Sequence, residues 1–158
     1  MEIQELRFSS PKDRGLNLVA IGGGTGLSPL LAGLKRKVGR QETDDAWIEN
    51  LAAIVTVSDD GGSSGRLREE LQMLPPGDIR NCMIALSEDS GLISRLFRHR
   101  FRGDGGLGGH SFGNLFLAAL TEVTGDFVEA VRLSSEVLAS KGHIYPATIN
   151  DVRLVAEL

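Results

Sequence analysis

The sequence holds a single cysteine, Cys82, in 158 residues. That excludes a disulfide framework and the paired-cysteine spacing of a structural zinc site. One thiol fits a reducing compartment. No apolar run reaches the ~18 residues that a membrane-spanning helix needs, so no membrane insertion is expected. The segment Met1–Gly15 is polar, carries Arg7, Lys12 and Arg14, and lacks the apolar core of a secretory leader. With neither signal present, the expected location is the cytoplasm. Positive charge is not in excess either. The formal net charge is −4, which gives no general pull toward nucleic acid. Internal repeats and low-complexity tracts are missing as well.

What remains is an ordinary globular composition, 41% hydrophobic and 24% charged, with one departure: 20 glycines, most of them clustered. The length suits one domain. Residues 1–15 read as a flexible lead-in and residues 16–158 as the domain. Leu16–Ile21 is a short aliphatic run between glycines, the pattern of a buried parallel strand. Leu27, Leu30, Leu31, Leu34 and Val38 then recur at helical spacing. Leu51–Val57 reads as a second buried strand, followed by a loop and a short helix over Arg66–Leu71. Asp78 is placed to cap a helix carrying Ile79, Cys82, Met83 and Leu86 on one face, with Cys82 in the core. Further helices are expected over Leu92–Phe97, over the strongly apolar Phe112–Val123, and after a cap at Asp126. Ile144–Pro146 follows, and the alternation of Val152, Leu154, Ala156 and Leu158 predicts a last strand over Asp151–Leu158. Strands alternating with helices predict a three-layer α/β sandwich with a mostly parallel sheet. A strand edge left open at Leu158 predicts that the fold is incomplete at its C-terminal end.

Four motifs carry chemistry. Gly22-Gly23-Gly24-Thr25-Gly26 joins a strand to a helix, so backbone N–H groups and the helix dipole favour an anion there. It is neither GxGxxG nor a P-loop, because Leu27 and Pro29 stand where a last glycine would fall and no Lys-Ser/Thr follows. A nicotinamide-dependent oxidoreductase is disfavoured for the same reason. The alternative for this motif is a tight turn with no ligand. Asp59-Asp60-Gly61-Gly62-Ser63-Ser64-Gly65-Arg66 follows the second strand and falls at the same sheet edge. Either aspartate suits a ribose hydroxyl, a divalent metal or a helix cap, and Ser63, Ser64 and Arg66 supply donors for phosphate. Arg80 and Asn81, after Pro75-Pro76-Gly77, lie in a first helical turn and suit a ligand or a plain helix start. His110, Ser111 and Asn114 follow a glycine loop. His110 suits a phosphate donor, an acid/base or a structural role. Ser111 suits a cap, and Asn114 suits a base or sugar. No partner that would orient the imidazole for a serine hydrolase is visible. The basic run Arg95, Arg98, His99, Arg100 and Arg102 reads as a solvated face. Its alternative is contact with an anionic partner or a second subunit, so a homodimer is among the expectations.

The strings GGGTGLS, VTVSDDGGSSGRLR, LPPGDIRNC, LFRHRF and LGGHSFGNL, in this order and spacing, resemble the YvcK family of the YvcK/CofD-like superfamily. The similarity runs from about Leu16 to Leu158. The CofD branch shares the glycine loop and the aspartate pair but is unlike this chain in the serine-glycine stretch and in HSFGN. The resemblance implies a Rossmann-like fold and a UDP-sugar ligand such as UDP-N-acetylglucosamine. It also implies a regulatory role in growth and cell shape on gluconeogenic carbon sources. No reaction and no cofactor are implied by it. A CofD-like reading instead implies a 2-phospho-L-lactate transferase that uses a guanosine diphosphate donor and Mg2+. Carried over by motif, Gly23, Gly24, Thr25 and Gly26 would hold diphosphate or ribose. Asp59 or Asp60 would take the superfamily's metal- and donor-associated position, with Asp60 the metal candidate. Arg80, Asn81, His110, Ser111 and Asn114 would line the pocket. Relatives of this family continue past Leu158, so the remainder is expected to complete the sheet and the pocket.

Overall fold

A computed structural model of the chain describes residues 15–39, 47–59, 61–88 and 91–155. In chain order the elements are β1 (Leu16–Gly22), α1 (Gly24–Leu34), a short 3-10 turn (Lys35–Lys37), β2 (Ile48–Val55) and α2 (Gly62–Leu71). There follow α3 (Gly77–Leu86), α4 (Leu92–Arg98), α5 (Phe112–Thr124), α6 (Phe127–Val137) and β3 (His143–Pro146). The α/β class and the parallel sheet are as the sequence predicts.

The three strands lie in the order β1-β2-β3, with both pairings parallel. Leu18, Ala20 and Gly22 face the partners Leu51, Ala53 and Val55 of β2. Ala53 and Val55 in turn face Ile144 and Pro146 of β3. Residues two apart along a strand share a face, so these positions form one side of the sheet. Ala20, Leu51, Ala53, Val55 and Ile144 are all buried there. Leu27 and Leu31 of α1 and Ile79, Cys82, Met83 and Leu86 of α3 complete the same core. The opposite side carries Val19 and Ile21, which are 59% and 72% exposed, and Tyr145. Parallel strands need helical crossovers and normally bury both faces. Among the described residues, β1 is covered on one face only.

Phe97 of α4 anchors the second half of the domain. It is 1% exposed, and its ring centroid lies 5.8 Å from that of Phe112 and 5.1 Å from that of Phe116. Burying an aromatic side chain of this kind contributes about 1.5–3 kcal/mol. Helix α5 is thereby half-buried rather than buried all round. Leu117 and Ala118 are in the core, whereas Val123 is 81% exposed.

Several local expectations change. The second strand begins at Ile48, earlier than Leu51, because Ile48 pairs with Leu16 and is itself buried. Helix α2 starts at Gly62 rather than Arg66, which puts Ser63 and Ser64 in its first turn. Asp78 does not cap α3. The cap position is Pro76, and Asp78 sits inside the first turn with its carboxylate toward the start of α1. Residues 151–155 form no strand. Leu154 and Val155 are exposed, and no strand among the described residues offers them a ladder. That segment is instead tied down by Arg68, whose guanidinium donates to the Asp151 carboxylate and, at 2.7 Å, to the Val152 carbonyl. Asp126 does cap α6, accepting from the Glu129 amide at 2.7 Å, and Cys82 is fully buried. Residues 1–14, most of the expected lead-in, lie outside the described residues. Among the described residues, no helix is long and apolar enough to cross a membrane.

Candidate functional site

The carboxyl ends of β1 and β2, at Gly22 and Val55, release the chain at one edge of the sheet. Ligands of open parallel sheets bind at that edge. There the structure forms a cleft of about 280 Å³. Thr25 of α1, Asp59 and the Gly61–Ser64 turn, Gly77, Asp78, Arg80 and Asn81 of α3, Arg100, and Asn114 of α5 line it.

Four helices begin at this cleft, since Thr25, Gly62, Gly77 and Asn114 all lie in first turns. The capping residues of α1, α2 and α3 are Gly23, Gly61 and Pro76, and none makes a side-chain cap bond. First-turn N–H groups have no partner inside their own helix, and each helix start carries roughly half a positive charge. Three such starts without a capping side chain converge on one hollow. Close approach requires glycine here. A Cβ at Gly24 would come 2.7 Å from Asp78 Cα, and one at Gly77 would run into Ser64 Oγ.

Arg80 bridges the walls. One guanidinium nitrogen donates to Ser111 Oγ, and another donates to Asn81 Oδ1 at 2.7 Å. Its buried Nε has no partner among the described residues. Burial, followed by the neighbouring Arg100, weakens the hold of Arg80 on its proton, while Asp78 opposes this. The guanidinium is therefore short of negative charge, a condition that an anionic ligand relieves. Asp59 Oδ1 accepts from the Gly61 amide at 2.9 Å, which shapes the turn into α2.

A buried polar layer backs the cleft. His110 is 2% exposed, and its Nδ1 lies 2.9 Å from Ser63 Oγ. Asn114 Nδ2 donates to the same oxygen at 3.1 Å. Ser111 Oγ caps α5 by accepting from the Asn114 amide at 3.2 Å. Burial first, and then Arg66, push the His110 pKa below its ordinary value.

Of the residues singled out from sequence, Thr25, Asp59, Ser63, Ser64, Arg80, Asn81 and Asn114 come together on the cleft. Gly23 and Gly24 pack beside Asp78, and Gly26 has open space around it. Arg66 is turned away, donating to the Gly108 carbonyl at 2.7 Å. His110 and Ser111 stand behind the lining rather than in it. Asp60, the metal candidate, lies outside the described residues. Sequence reasoning missed Asp78 and Arg100. The adjacency of Asp78 to the Pro-Pro-Gly turn was the available signal for the first. Arg100 sat inside a run read as solvated, and it is exposed as well as lining the cleft.

A larger hollow of about 440 Å³ lies between α6 and β3. Its one guanidinium, Arg132, is already shared between the Glu129 and Glu136 carboxylates, so this lining carries no surplus of positive charge for a phosphate. Among the described residues, no group of three or more metal-ligating side chains gathers anywhere.

An open parallel sheet with glycine turns and helix starts gathered at its carboxyl edge defines a Rossmann-like α/β protein. The match to a family profile is narrower. Residues 18–158 match the family described as 2-phospho-L-lactate transferase CofD, and the chain belongs to that family. The gluconeogenesis factor of Bacillus subtilis is 52% identical over 141 residues, covering 89% of this chain and 41% of that protein. A relative from Nostoc is 57% identical over 145 residues, covering 92% of this chain and 30% of its own length. A crystal structure of a Bacillus halodurans protein superimposes with a TM-score of 0.76 at 51% identity, covering 86% of this chain and 40% of that one. The chain thus spans well under half the length of these relatives.

Proposed function

We propose that the cleft binds the diphosphate of a UDP-sugar, and that the protein is a regulatory gluconeogenesis factor rather than a catalyst. The observation that carries this is the meeting of three helix starts without capping side chains around Arg80 and Arg100. Amides at helix starts and a planar guanidinium are matched to phosphate oxygens in charge and geometry. The name of the Bacillus subtilis relative, gluconeogenesis factor, supports the link to gluconeogenesis. The cytoplasm is the compartment where such a ligand would be met, and growth and cell shape on gluconeogenic carbon are the processes it would serve. Calorimetric titration of the intact protein with UDP-N-acetylglucosamine tests the reading. Saturable binding without turnover supports it, and no binding sinks it.

A CofD-type transferase is the second reading, favoured by the family match. Asp59 and Asp78 both line the cleft, and Mg2+ is commonly held by one or two carboxylates together with substrate phosphates. In that case the ion would neutralise charge on the donor diphosphate. Titration with GDP, with and without Mg2+, separates the two. Preference for guanosine that depends on Mg2+ favours the transferase.

A further inference from the structure

Asn114 is 1% exposed and lines the cleft. Its Nδ2 is spent on Ser63 Oγ at 3.1 Å, and its Oδ1 has no hydrogen-bond partner among the described residues. A buried amide oxygen left without a donor destabilises the folded chain, because it has given up water and gained nothing in return. Natural chains seldom carry such a group without a use for it. The cost disappears when something entering the cleft donates to that oxygen.

The amide is held in this orientation from behind. Ser63 Oγ accepts from Asn114 and lies 2.9 Å from His110 Nδ1. A neutral imidazole that is bare at Nδ1 accepts a hydrogen bond from the Ser63 hydroxyl. Each group in the chain His110–Ser63–Asn114 is then used once, and the amide oxygen of this cleft-lining residue is the one left without a donor. Burial first, and then Arg66 and Arg100, disfavour a charged imidazole, while Glu70 favours it.

The chemistry of the missing partner follows. A phosphate oxygen is an acceptor and is repelled by Oδ1. A hydroxyl donates. The Asp59 carboxylate adds a second acceptor to the lining, whereas Arg80 and Arg100 supply donors. The lining therefore offers both donors, which suit an anion, and acceptors, which suit a hydroxyl. We infer that Asn114 is a specificity-determining residue whose Oδ1 accepts a hydrogen bond from a ribose or sugar hydroxyl of the bound nucleotide, with Ser63 and His110 positioning the amide. This rests on the nucleotide reading above.

The test uses UDP-N-acetylglucosamine and a set of analogues each lacking one ribose or sugar hydroxyl, titrated into the intact protein by calorimetry. One analogue is expected to bind the wild type about tenfold more weakly. That penalty should vanish in Asn114→Leu and persist in Asn114→Asp, which keeps an acceptor oxygen. Ser63→Ala, which frees the amide to rotate, should reduce it and serves if the leucine variant fails to fold. Equal affinity ratios in the wild type, Asn114→Leu and Ser63→Ala would overturn the inference while leaving the cleft reading intact. If the parent nucleotide does not bind the wild type at all, the cleft reading falls and this inference falls with it.

Discussion

Arg80 donates to Ser111 Oγ, the same oxygen that accepts the Asn114 amide and caps α5. The guanidinium that faces the cleft is thus braced against the start of the helix that forms its far wall. Removing it should do two things. In Arg80→Ala, nucleotide affinity should fall by tenfold or more, the scale of a lost charge-assisted contact of about 1.5–3 kcal/mol. The melting temperature should also fall by several degrees. Arg80→Lys keeps the charge without the fork, so calorimetry should place its affinity between the two.

Gly77→Ala probes the close approach of α3 to α2. The added methyl meets Ser64 Oγ and comes within 3.4 Å of Asp59 Oδ2. Crowding of this kind costs about 1–3 kcal/mol. Thermal unfolding should show the loss, and affinity should fall with it because both neighbours line the cleft.

Asp126→Ala is the control. It deletes the α6 cap, far from the cleft lining, and should cost about 1 kcal/mol of stability in denaturant unfolding. Nucleotide affinity should not change. A matching drop in affinity would mean that the cleft merely reports overall stability.

Much of this was legible before the structure. Glycine clusters after apolar runs mark strand-to-helix turns, and helical periodicity marked α1, α3 and α6. Local grammar failed where a distant contact decided the outcome. Asp78 satisfies every local rule for a cap, yet α1 approaches so closely that its carboxylate lies against Gly24 instead. Arg66 and Arg100 look alike in sequence, and only the path of the Gly103–Gly109 loop decides their surroundings. Arg66 reaches the carbonyl of Gly108, and Arg100 reaches that of Gly109 beside the cleft. Val152 and Leu154 alternate like a strand, but alternation reports compatibility with a ladder, not the presence of a neighbour.

Stability should depend on pH through His110. Burial holds its folded-state pKa below the value of 6.5 expected for the unfolded chain. Between the two values the unfolded state binds more protons, so stability rises with pH there. The contribution is full above about pH 6.5 and is lost as pH falls through the folded-state value. Glu70, which favours the charged form, limits the shift, and Arg66 and Arg100 enlarge it. Denaturant midpoints measured from pH 7.5 to 5 should show the decline, and His110→Gln should flatten it.

Cys82 should be inert in the folded protein. Burial first, with help from Asp78, pushes its thiol pKa up to about 12. Thiolate is the reactive form, so a thiol reagent at pH 8 should label the native protein only at the rate of unfolding. Full labelling in denaturant completes the check.

The most direct measurement is a crystal structure of the intact protein with UDP-N-acetylglucosamine bound. The account predicts the diphosphate at the first turns of α1, α2 and α3, within hydrogen-bond distance of the Arg80 guanidinium. A diphosphate seated elsewhere, as in the hollow between α6 and β3, with Arg80 untouched, would contradict it.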